Sequence, residues 1–246
     1  MIGAARYSTL WLCGRLFATP GYPPLSRSEL AAALSPYDAL PRSSQRVIAF
    51  RTAALGSLMR RADAFLPSEG AILDAGCGHG QMARWLAREP GRQVLGVDSS
   101  ESRIRAARGA EMPPNLRFER ASMHDAIASD GPCWDGFVFV DALLYIDVEA
   151  QRDVLIATRE AARPGALLLI KDSIAEPRWK LRLTRMEERI KLGRAYYGNA
   201  PGGPLTYRPR EEWVATLHDA GWRVTDDCRT PRFLPYPGWI AVCHAV

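Results

Sequence analysis

The sequence LDAGCGHG, residues 73–80, decides the fold class of this chain. It stands between an apolar run that predicts a strand at Ala71–Asp74 and an amphipathic stretch that predicts a helix at Gln81–Arg88. Glycines here let the backbone turn tightly and approach a ligand, and the helix offers free N–H groups. The third glycine comes one residue too early for the GxGxxG loop of dinucleotide-binding folds, and the Lys-Ser/Thr of a P-loop is missing. The loop therefore predicts a different kind of ligand site after the first strand.

Strand and helix patterns alternate outward from this loop. Further strands are predicted at Gln93–Asp98, Asn115–Arg120, Trp134–Val140, Ala166–Lys171, Trp222–Cys228 and Trp239–Ala245. Helices are predicted at Ser43–Leu66, Glu101–Ala110, Val148–Arg163, Pro177–Arg194 and Arg210–Ala220, with Ser43 and Ser44 as N-cap candidates for the first and a loop at Asn199–Pro204. Such alternation predicts a doubly wound α/β fold, in which helices cover both faces of a mostly parallel sheet.

The second predicted strand ends at Val97-Asp98, 18 residues after Gly80. An acid at this place can accept hydrogen bonds from both hydroxyls of an adenosine ribose. Here the chain resembles the class I S-adenosylmethionine (SAM)-dependent methyltransferases over about residues 45–172. The resemblance rests on LDAGCGHG (73–80), VLGVDSS (94–100), WDGFVFVDALLYI (134–146) and ARPGALLLIKD (162–172). It implies SAM as the cofactor and a seven-stranded Rossmann-like sheet whose last strand is antiparallel.

The resemblance also implies which residues hold the cofactor. The methionine part of SAM would face the first strand end and its loop, at Asp74, Gly76, Cys77, Gly78 and Gly80. The adenosine and the methyl group would meet Asp98, Ser99, Ser122, Met123, Asp141 and Ala142. Among these, Asp98 would bind the ribose and Ser99 would lie beside the adenine. Ser122 stands where related chains usually carry an acid, which weakens that contact, and Met123 could still pack on the adenine ring.

Residues near the transferred methyl group are candidates for catalysis. A general base is needed only if the acceptor carries a proton, as a hydroxyl does. The candidates are Asp141, Tyr145 and His124, with Lys171-Asp172 nearby. An exposed loop position is the alternative for His124, and a place in the pocket wall is the alternative for Tyr145. Acids such as Asp141 and Asp172 bind Mg²⁺ in catechol-type methyltransferases, but two acids are a thin ligand set, so no metal is predicted.

Charge is distributed unevenly along the chain, whose net charge is +5. Residues 1–66, an expected helical N-terminal cover, hold eight arginines against three acids. The expected SAM-binding domain, 67–246, contains a helical insert at 175–210 with nine bases against three acids. Such faces are usually solvated, but they would also suit an anionic acceptor, an acidic carrier protein or peripheral contact with an anionic membrane. A short helix near residues 6–17 could offer the membrane an apolar stripe of Trp11, Leu12, Leu16 and Phe17, or could bury this stripe against the core.

Aromatic residues of the insert and its flank could wall an aromatic or acyl pocket, or could simply pack in the core. They are Trp179, Tyr196, Tyr197, Tyr207 and Trp213. The segments PRWK (177–180) and LPYPGW (234–239) add a weaker similarity to bacterial small-molecule methyltransferases of aryl-polyene or polyketide clusters, which are enzymes of secondary metabolism.

The features together predict a cytoplasmic methyltransferase. Its expected acceptor is a small molecule, namely a hydroxyl of a phenolic, acyl or carrier-bound metabolite. The composition, 47% hydrophobic and 24% charged, excludes fibrous, disordered and membrane-spanning classes, and five cysteines without a CxxC motif fit a reducing compartment.

Two alternatives stay open, an RNA or protein methyltransferase and a non-catalytic SAM-binding subunit. The sequence DALL (141–144) replaces the (Asn/Asp)-Pro-Pro-(Tyr/Phe) motif common in amino-methylating nucleic-acid enzymes, so no nucleic-acid partner is expected. The oligomeric state is left open.

Overall fold

The structure is a computed structural model that describes residues 4–109, 112–128, 133–193, 205–231, 234 and 237–246. The strands are β1 (Gly70–Ala75), β2 (Arg92–Asp98), β3 (Leu116–Arg120), β4 (Trp134–Val140), β5 (Ala162–Ser173), β6 (Trp222–Arg229) and β7 (Gly238–Ala245). The α-helices are α1 (Ala4–Phe17), α2 (Arg27–Leu34), α3 (Arg42–Phe65), α4 (Gln81–Leu86), α5 (Glu101–Arg108), α6 (Met123–Ile127), α7 (Val148–Glu160), α8 (Arg178–Gly193) and α9 (Arg210–Asp219). Short 3₁₀ turns lie at Ser35–Tyr37 and Leu143–Tyr145.

All seven strands form one sheet in the order β3-β2-β1-β4-β5-β7-β6. Strands β1 to β5 pair in parallel, and β7 is antiparallel to both of its neighbours, β5 and β6. This confirms the predicted seven strands and the antiparallel last strand. The order reverses between β1 and β4, and in such sheets ligands bind beyond the carboxyl ends of the strands at this reversal.

Helices bury apolar side chains on both faces of the sheet. One apolar cluster joins residues of α2, α3, α4 and α5 to the sheet, with Met59 and Ile72 fully buried. The second joins α7 and α9 to the other face, where Trp213, Trp222 and Trp239 are fully buried. The expected N-terminal cover is helical, as predicted, and its helix α3 lies directly on the sheet. The boundary after residue 66 stays a prediction.

Two local predictions were wrong. Helix α3 begins at Arg42, before the expected caps Ser43 and Ser44, because Pro41 occupies the N-cap position and its carbonyl accepts from the Gln45 amide at 3.0 Å. Helix α7 ends at Glu160 and not at residue 163, because a residue that precedes proline, here Arg163, is disfavoured in a helix. The chain then enters β5 at once.

Helix α6 follows β3 and was not predicted. Its N-cap is Ser122, whose hydroxyl accepts a hydrogen bond from the Asp125 amide at 3.0 Å. The Ser-x-x-Asp spacing is a helix-start pattern that could have indicated it. The predicted Asn199–Pro204 loop, Tyr196 and Tyr197 lie outside the described residues.

Candidate active site

Three adjoining cavities open at the carboxyl ends of the central strands. We call them the loop cavity, beside residues 76–82; the side cavity, beside the ends of β2, β3 and β4; and the apolar cavity, between α3, α8 and the ends of β5 and β7. Asp141 and Tyr145 line all three. These two residues therefore mark the point where the cavities meet.

The glycine loop after β1 is held tightly against β2. The amides of Gly76 and Cys77 both donate to the Val97 carbonyl at 2.8 Å. Gly80 begins α4 with a φ of +82°, and a Cβ there would collide with the ring of Phe118. Gly80 thus shapes the loop, whereas Asp74, Gly76, Cys77 and Gly78 line the loop cavity itself.

Asp98 lies at the centre of a small hydrogen-bond network. The Gly78 amide donates to its Oδ2 at 3.0 Å and the Ser100 amide to its Oδ1 at 2.8 Å. Arg103 Nη1 lies 3.4 Å from the same Oδ2. The carboxylate is buried yet lines the side cavity together with Ser99. A carboxylate has about four lone-pair sites, so Asp98 can still accept from hydroxyl groups of a ligand.

Two titratable groups of the loop cavity, the buried Asp74 and the partly buried His79, have shifted pKa values. Burial raises the pKa of Asp74 to about 7, and the charge of Asp98 adds to the shift. Within the described chain, neither carboxylate oxygen of Asp74 accepts a hydrogen bond of normal geometry. Burial lowers the pKa of His79 to about 4, helped by the positive charges of Arg103 and Arg51. The cavity therefore offers a buried acid that a hydrogen-bond donor of a ligand could satisfy.

The side cavity collects the residues expected around adenosine. Ser122, Met123 and Ala142 line it, as do Asp98 and Ser99. The Ser122 hydroxyl accepts the hydrogen bond that caps α6. It therefore does not reproduce the contact of the carboxylate that related chains usually carry at this position. His124 is an exposed residue of α6 that lines this cavity and is absent from the residues that line the apolar cavity.

Asp141 is held in an uncommon backbone conformation at the end of β4. Its φ is +52°, in the left-handed region, and its amide donates to the Lys171 carbonyl at 2.8 Å. The Lys171 ammonium donates to Asp141 Oδ1, and Arg51 Nη2 lies 3.5 Å from Oδ2. The strained turn thus places one carboxylate between two cations, where all three cavities meet.

Asp172 lies next to this ion pair but faces the protein interior. Its oxygens accept from the Leu144 amide at 3.0 Å and the Ser173 amide at 2.7 Å. Burial raises its pKa to about 7, with a further contribution from the charge of Asp141. No cluster of three or more His, Cys, Asp or Glu side chains suited to a metal ion occurs within the described ranges.

The apolar cavity has a volume of about 160 Å³. Its apolar walls are Phe17, Phe50, Ala54, Leu55, Leu58, Leu144, Leu234 and Ile240. Arg51, Asp141, Tyr145, Lys171 and Tyr207 supply most of its polar edge. A cavity of about 150 Å³ with an apolar lining binds benzene in another protein, so this one has room for a single aromatic ring.

Two cationic site residues, Arg51 and Arg103, were missed by the sequence analysis. Arg51 lies on α3 with Val47 and Ala54, at the spacing of the face that the helix turns toward the site. A lone base on an otherwise apolar helix face is a signal that could have found it. Arg103 gave no such signal, because α5 carries arginines on several sides.

Residues 72–165 match a family model described as a methyltransferase domain. The N-demethylindolmycin N-methyltransferase of Streptomyces griseus is 31% identical over 164 residues, which cover 63% of this chain and 64% of that protein. The ubiquinone biosynthesis O-methyltransferase of Roseobacter denitrificans is 34% identical over 97 residues, 39% of this chain and 38% of that protein. The chain thus spans less than two thirds of the length of these relatives.

The fold is shared with solved methyltransferase structures. The magnesium protoporphyrin IX methyltransferase of Synechocystis PCC 6803, solved with bound SAH, superposes with a TM-score of 0.58 at 17% identity. The match covers 89% of this chain and 94% of that chain. At this identity the match establishes the fold alone. No helix among the described residues is long and apolar enough to cross a membrane.

Proposed function

Because the chain belongs to the class I SAM-dependent methyltransferases, we propose that it transfers a methyl group from SAM to an oxygen of a small, ring-bearing acceptor. One observation carries the proposal. Asp141 and Tyr145 line the loop, side and apolar cavities at once, so an acceptor in the apolar cavity would meet a cofactor in the other two at these residues.

The residues of the loop and side cavities fit SAM. A ligand can approach the backbone at Gly78, since nothing lies within 4 Å of the place a Cβ would take. Asp98 would accept the ribose hydroxyls, Met123 would pack on the adenine, and Asp74 would accept from the methionine part. SAM supplies a methyl group on a sulfonium, which is already a strong electrophile. The protein's task is therefore to position the acceptor.

The polar edge of the apolar cavity favours an acceptor oxygen that carries negative charge. Lys171 and Arg51 bring two positive charges there, against the single charge of Asp141 and an Asp172 whose pKa lies near 7. A phenol bound beside these cations would have a lowered pKa, because they stabilise its oxyanion. We therefore favour a phenolic hydroxyl over an aliphatic one.

Asp141 is the proposed proton acceptor. Among the described residues that line the apolar cavity it is the one carboxylate, and it is partly open to solvent. The acceptor's O–H proton would pass to an Asp141 oxygen and then to water, while Lys171 and Arg51 hold the oxyanion. Tyr145 would orient the ring as part of the cavity wall. His124 lies on the side cavity, and that position gives no support to its role as the base.

A methyl-transfer assay with labelled SAM tests the proposal. It should compare three one-ring acceptors that differ in one group, a phenol, a benzoate and an aniline, with products identified by mass spectrometry. We expect methylation of the phenol oxygen. Lys171→Gln should lower kcat/KM for the phenol by about tenfold or more, as expected for loss of a charged hydrogen bond, and leave the SAM Kd unchanged. Arg152→Gln, an exposed change on α7, is the control.

Each other outcome selects an alternative. Transfer to the aniline alone would make nitrogen the acceptor atom, as in the Streptomyces relative, which is an N-methyltransferase. Transfer only to RNA or protein added to the assay would favour a macromolecular acceptor. SAM binding by calorimetry with no transfer to any of these would favour a non-catalytic subunit.

A further inference from the structure

Exposed apolar side chains are concentrated on α1, α3 and α8, the three helices that contribute Phe17, Phe50 and Thr184 to the lining of the apolar cavity. Six of them, each between 42% and 58% exposed, form what we call the rim: Leu12, Leu16, Phe50, Trp179, Leu183 and Met186. Elsewhere in the described chain, large apolar side chains are 40% or more exposed only at Met112, Val148 and Val246. Exposed apolar groups gathered in one region mark an interaction surface more often than scattered ones do.

The part of the rim on α8 is a regular stripe. Trp179, Leu183 and Met186 stand four and three residues apart, so they share one face of the helix. The opposite face is buried, with Thr184 lining the apolar cavity and Leu181 only 8% exposed. Helix α8 thus packs through one face and presents a second apolar face to solvent.

Helices α1 and α3 supply the rest of the rim. Phe17 and Phe50 both line the apolar cavity and meet edge to face, with 5.7 Å between ring centroids. Phe50 is nevertheless 44% exposed, so the cavity opens beside it. Leu16 precedes Phe17 in the chain, and Leu12 lies one turn earlier on α1. The rim is therefore carried by three helices that also supply cavity-lining residues, and Phe50 belongs to both the rim and the cavity.

Positive charge accompanies the rim. Arg178, Arg182 and Arg185 are exposed on α8 and fall along a line beside the apolar stripe. Arg15 is exposed between Leu12 and Leu16, with its guanidinium 5.0 Å from the Trp11 ring centroid. No acid occurs in residues 4–17 or 178–186. Apolar side chains bordered by arginines are typical of helices that lie in the interface of an anionic membrane.

We propose that the rim docks on an anionic lipid bilayer, with the opening of the apolar cavity turned toward the lipid. The rim side chains would enter the headgroup region and the arginines would meet lipid phosphates. A folded protein would have to match side chains from three separate helices with a shaped surface, whereas a fluid bilayer can receive them without one. Docking in this orientation lets an apolar acceptor pass from the lipid into the cavity.

Co-sedimentation with lipid vesicles tests the rim without any methyl transfer, so its result does not depend on the proposed function. Vesicles of phosphatidylcholine alone are compared with vesicles that contain roughly one quarter phosphatidylglycerol. We expect binding to the anionic vesicles that weakens with added salt, and little binding to the neutral ones. Binding to neither, or equal and salt-independent binding to both, would overturn the proposal.

Matched variants locate the surface. Leu183→Asp, in the rim, should lower vesicle binding by about tenfold, and Val148→Asp, an exposed apolar position outside it, should change binding by less than about twofold. Arg182→Glu, beside the rim, should weaken vesicle binding, whereas Arg117→Glu, an exposed change on β3, should not. Far-ultraviolet circular dichroism checks that each variant is folded. Equal losses in the paired variants, or a rim that mediates a dimer of this chain or binds an acidic protein in place of vesicles, would contradict lipid docking.

Discussion

The hydroxyl of Tyr37 donates a hydrogen bond to the backbone carbonyl of His79 at 2.9 Å. Tyr37 belongs to a 3₁₀ turn of the N-terminal cover, and His79 lies in the middle of the glycine loop. Burial raises the pKa of Tyr37, so its hydroxyl keeps the proton that it donates. The cover is thereby attached to the loop that we assign to the methionine part of SAM.

Tyr37→Phe should weaken SAM binding, because it frees a carbonyl that fixes the glycine loop. We expect a several-fold rise in the SAM Kd by calorimetry and a loss of about 1 kcal/mol in the free energy of unfolding, as is usual for one buried hydrogen bond. Tyr22→Phe, a half-buried position away from the loop, is the control. An unchanged Kd would show that the loop keeps its shape without the cover.

Gly78 and Gly80 should respond differently to alanine. Both have positive φ, which costs a non-glycine residue about 1 kcal/mol. A Cβ at Gly80 would also strike the Phe118 ring, whereas at Gly78 it would meet open space. Gly80→Ala should therefore lower the free energy of unfolding more, by about 1–3 kcal/mol beyond the backbone cost. Gly78→Ala should mainly raise the SAM Kd. The reverse pattern in urea unfolding and calorimetry would contradict the ligand role of Gly78.

Asp98→Asn should reduce SAM affinity by at least about tenfold. The change keeps the shape of the side chain but removes the carboxylate that we expect to accept hydrogen bonds from the ribose hydroxyls. Hydrogen bonds to a charged group contribute about 1.5–3 kcal/mol. Glu119→Gln, an exposed position on β3, removes a nearby charge as the control. Because Asp98 also holds the Gly78 and Ser100 amides, thermal unfolding should be measured beside the calorimetry. An unaltered SAM Kd would exclude the ribose contact.

Stability should depend on pH through Asp172. Burial raises the pKa of this carboxyl from 3.8 to about 7. Between these two pH values the folded state therefore keeps a proton that the unfolded state has already lost. The contribution of Asp172 to the free energy of unfolding is therefore fully present below about pH 4 and is lost as the pH rises through 7.

Urea unfolding of wild type and Asp172→Asn across pH 4–8 measures this contribution. The variant should be less stable at pH 4, because its amide group faces two backbone N–H donors. The difference between the two proteins should shrink as the pH rises through 7. His79, whose lowered pKa gives a contribution of the opposite sign, is common to both proteins and cancels. A difference that stays constant with pH would refute the raised pKa of Asp172.

The strand pattern was predictable because buried parallel strands are short apolar runs with turn residues between them. The seven strands and the glycine loop follow from such local signals. The short helix α6 did not, since five residues are too few to show a helical period, and only the cap at Ser122 indicated it. Elements of one or two turns depend on contacts with the rest of the fold more than on their own sequence.

The cofactor side of the candidate site could be predicted further than the acceptor side. Asp74 and Asp98 end neighbouring strands, so topology brings them together without knowledge of any loop. The pairing of Asp141 with Arg51 depends instead on how α3 lies across the sheet, and the two residues are 90 positions apart in the sequence. A contact between residues so far apart produces no periodic pattern in the sequence. Only the lone arginine on an apolar face indicated it.

The apolar cluster shared by the N-terminal helices and the sheet has a consequence for how an acceptor reaches the site. Leu30 of α2 and Met59 of α3 are buried in the same cluster as Ile72 and Val94 of the sheet. Swinging these helices outward on a hinge would expose that core to water, which costs far more than a bound ring returns. Helices α2 and α3 should therefore unfold cooperatively with the sheet, in one transition. Entry and exit then depend on side-chain motion at the cavity opening, which makes Phe50, the partly exposed ring beside it, the natural gate.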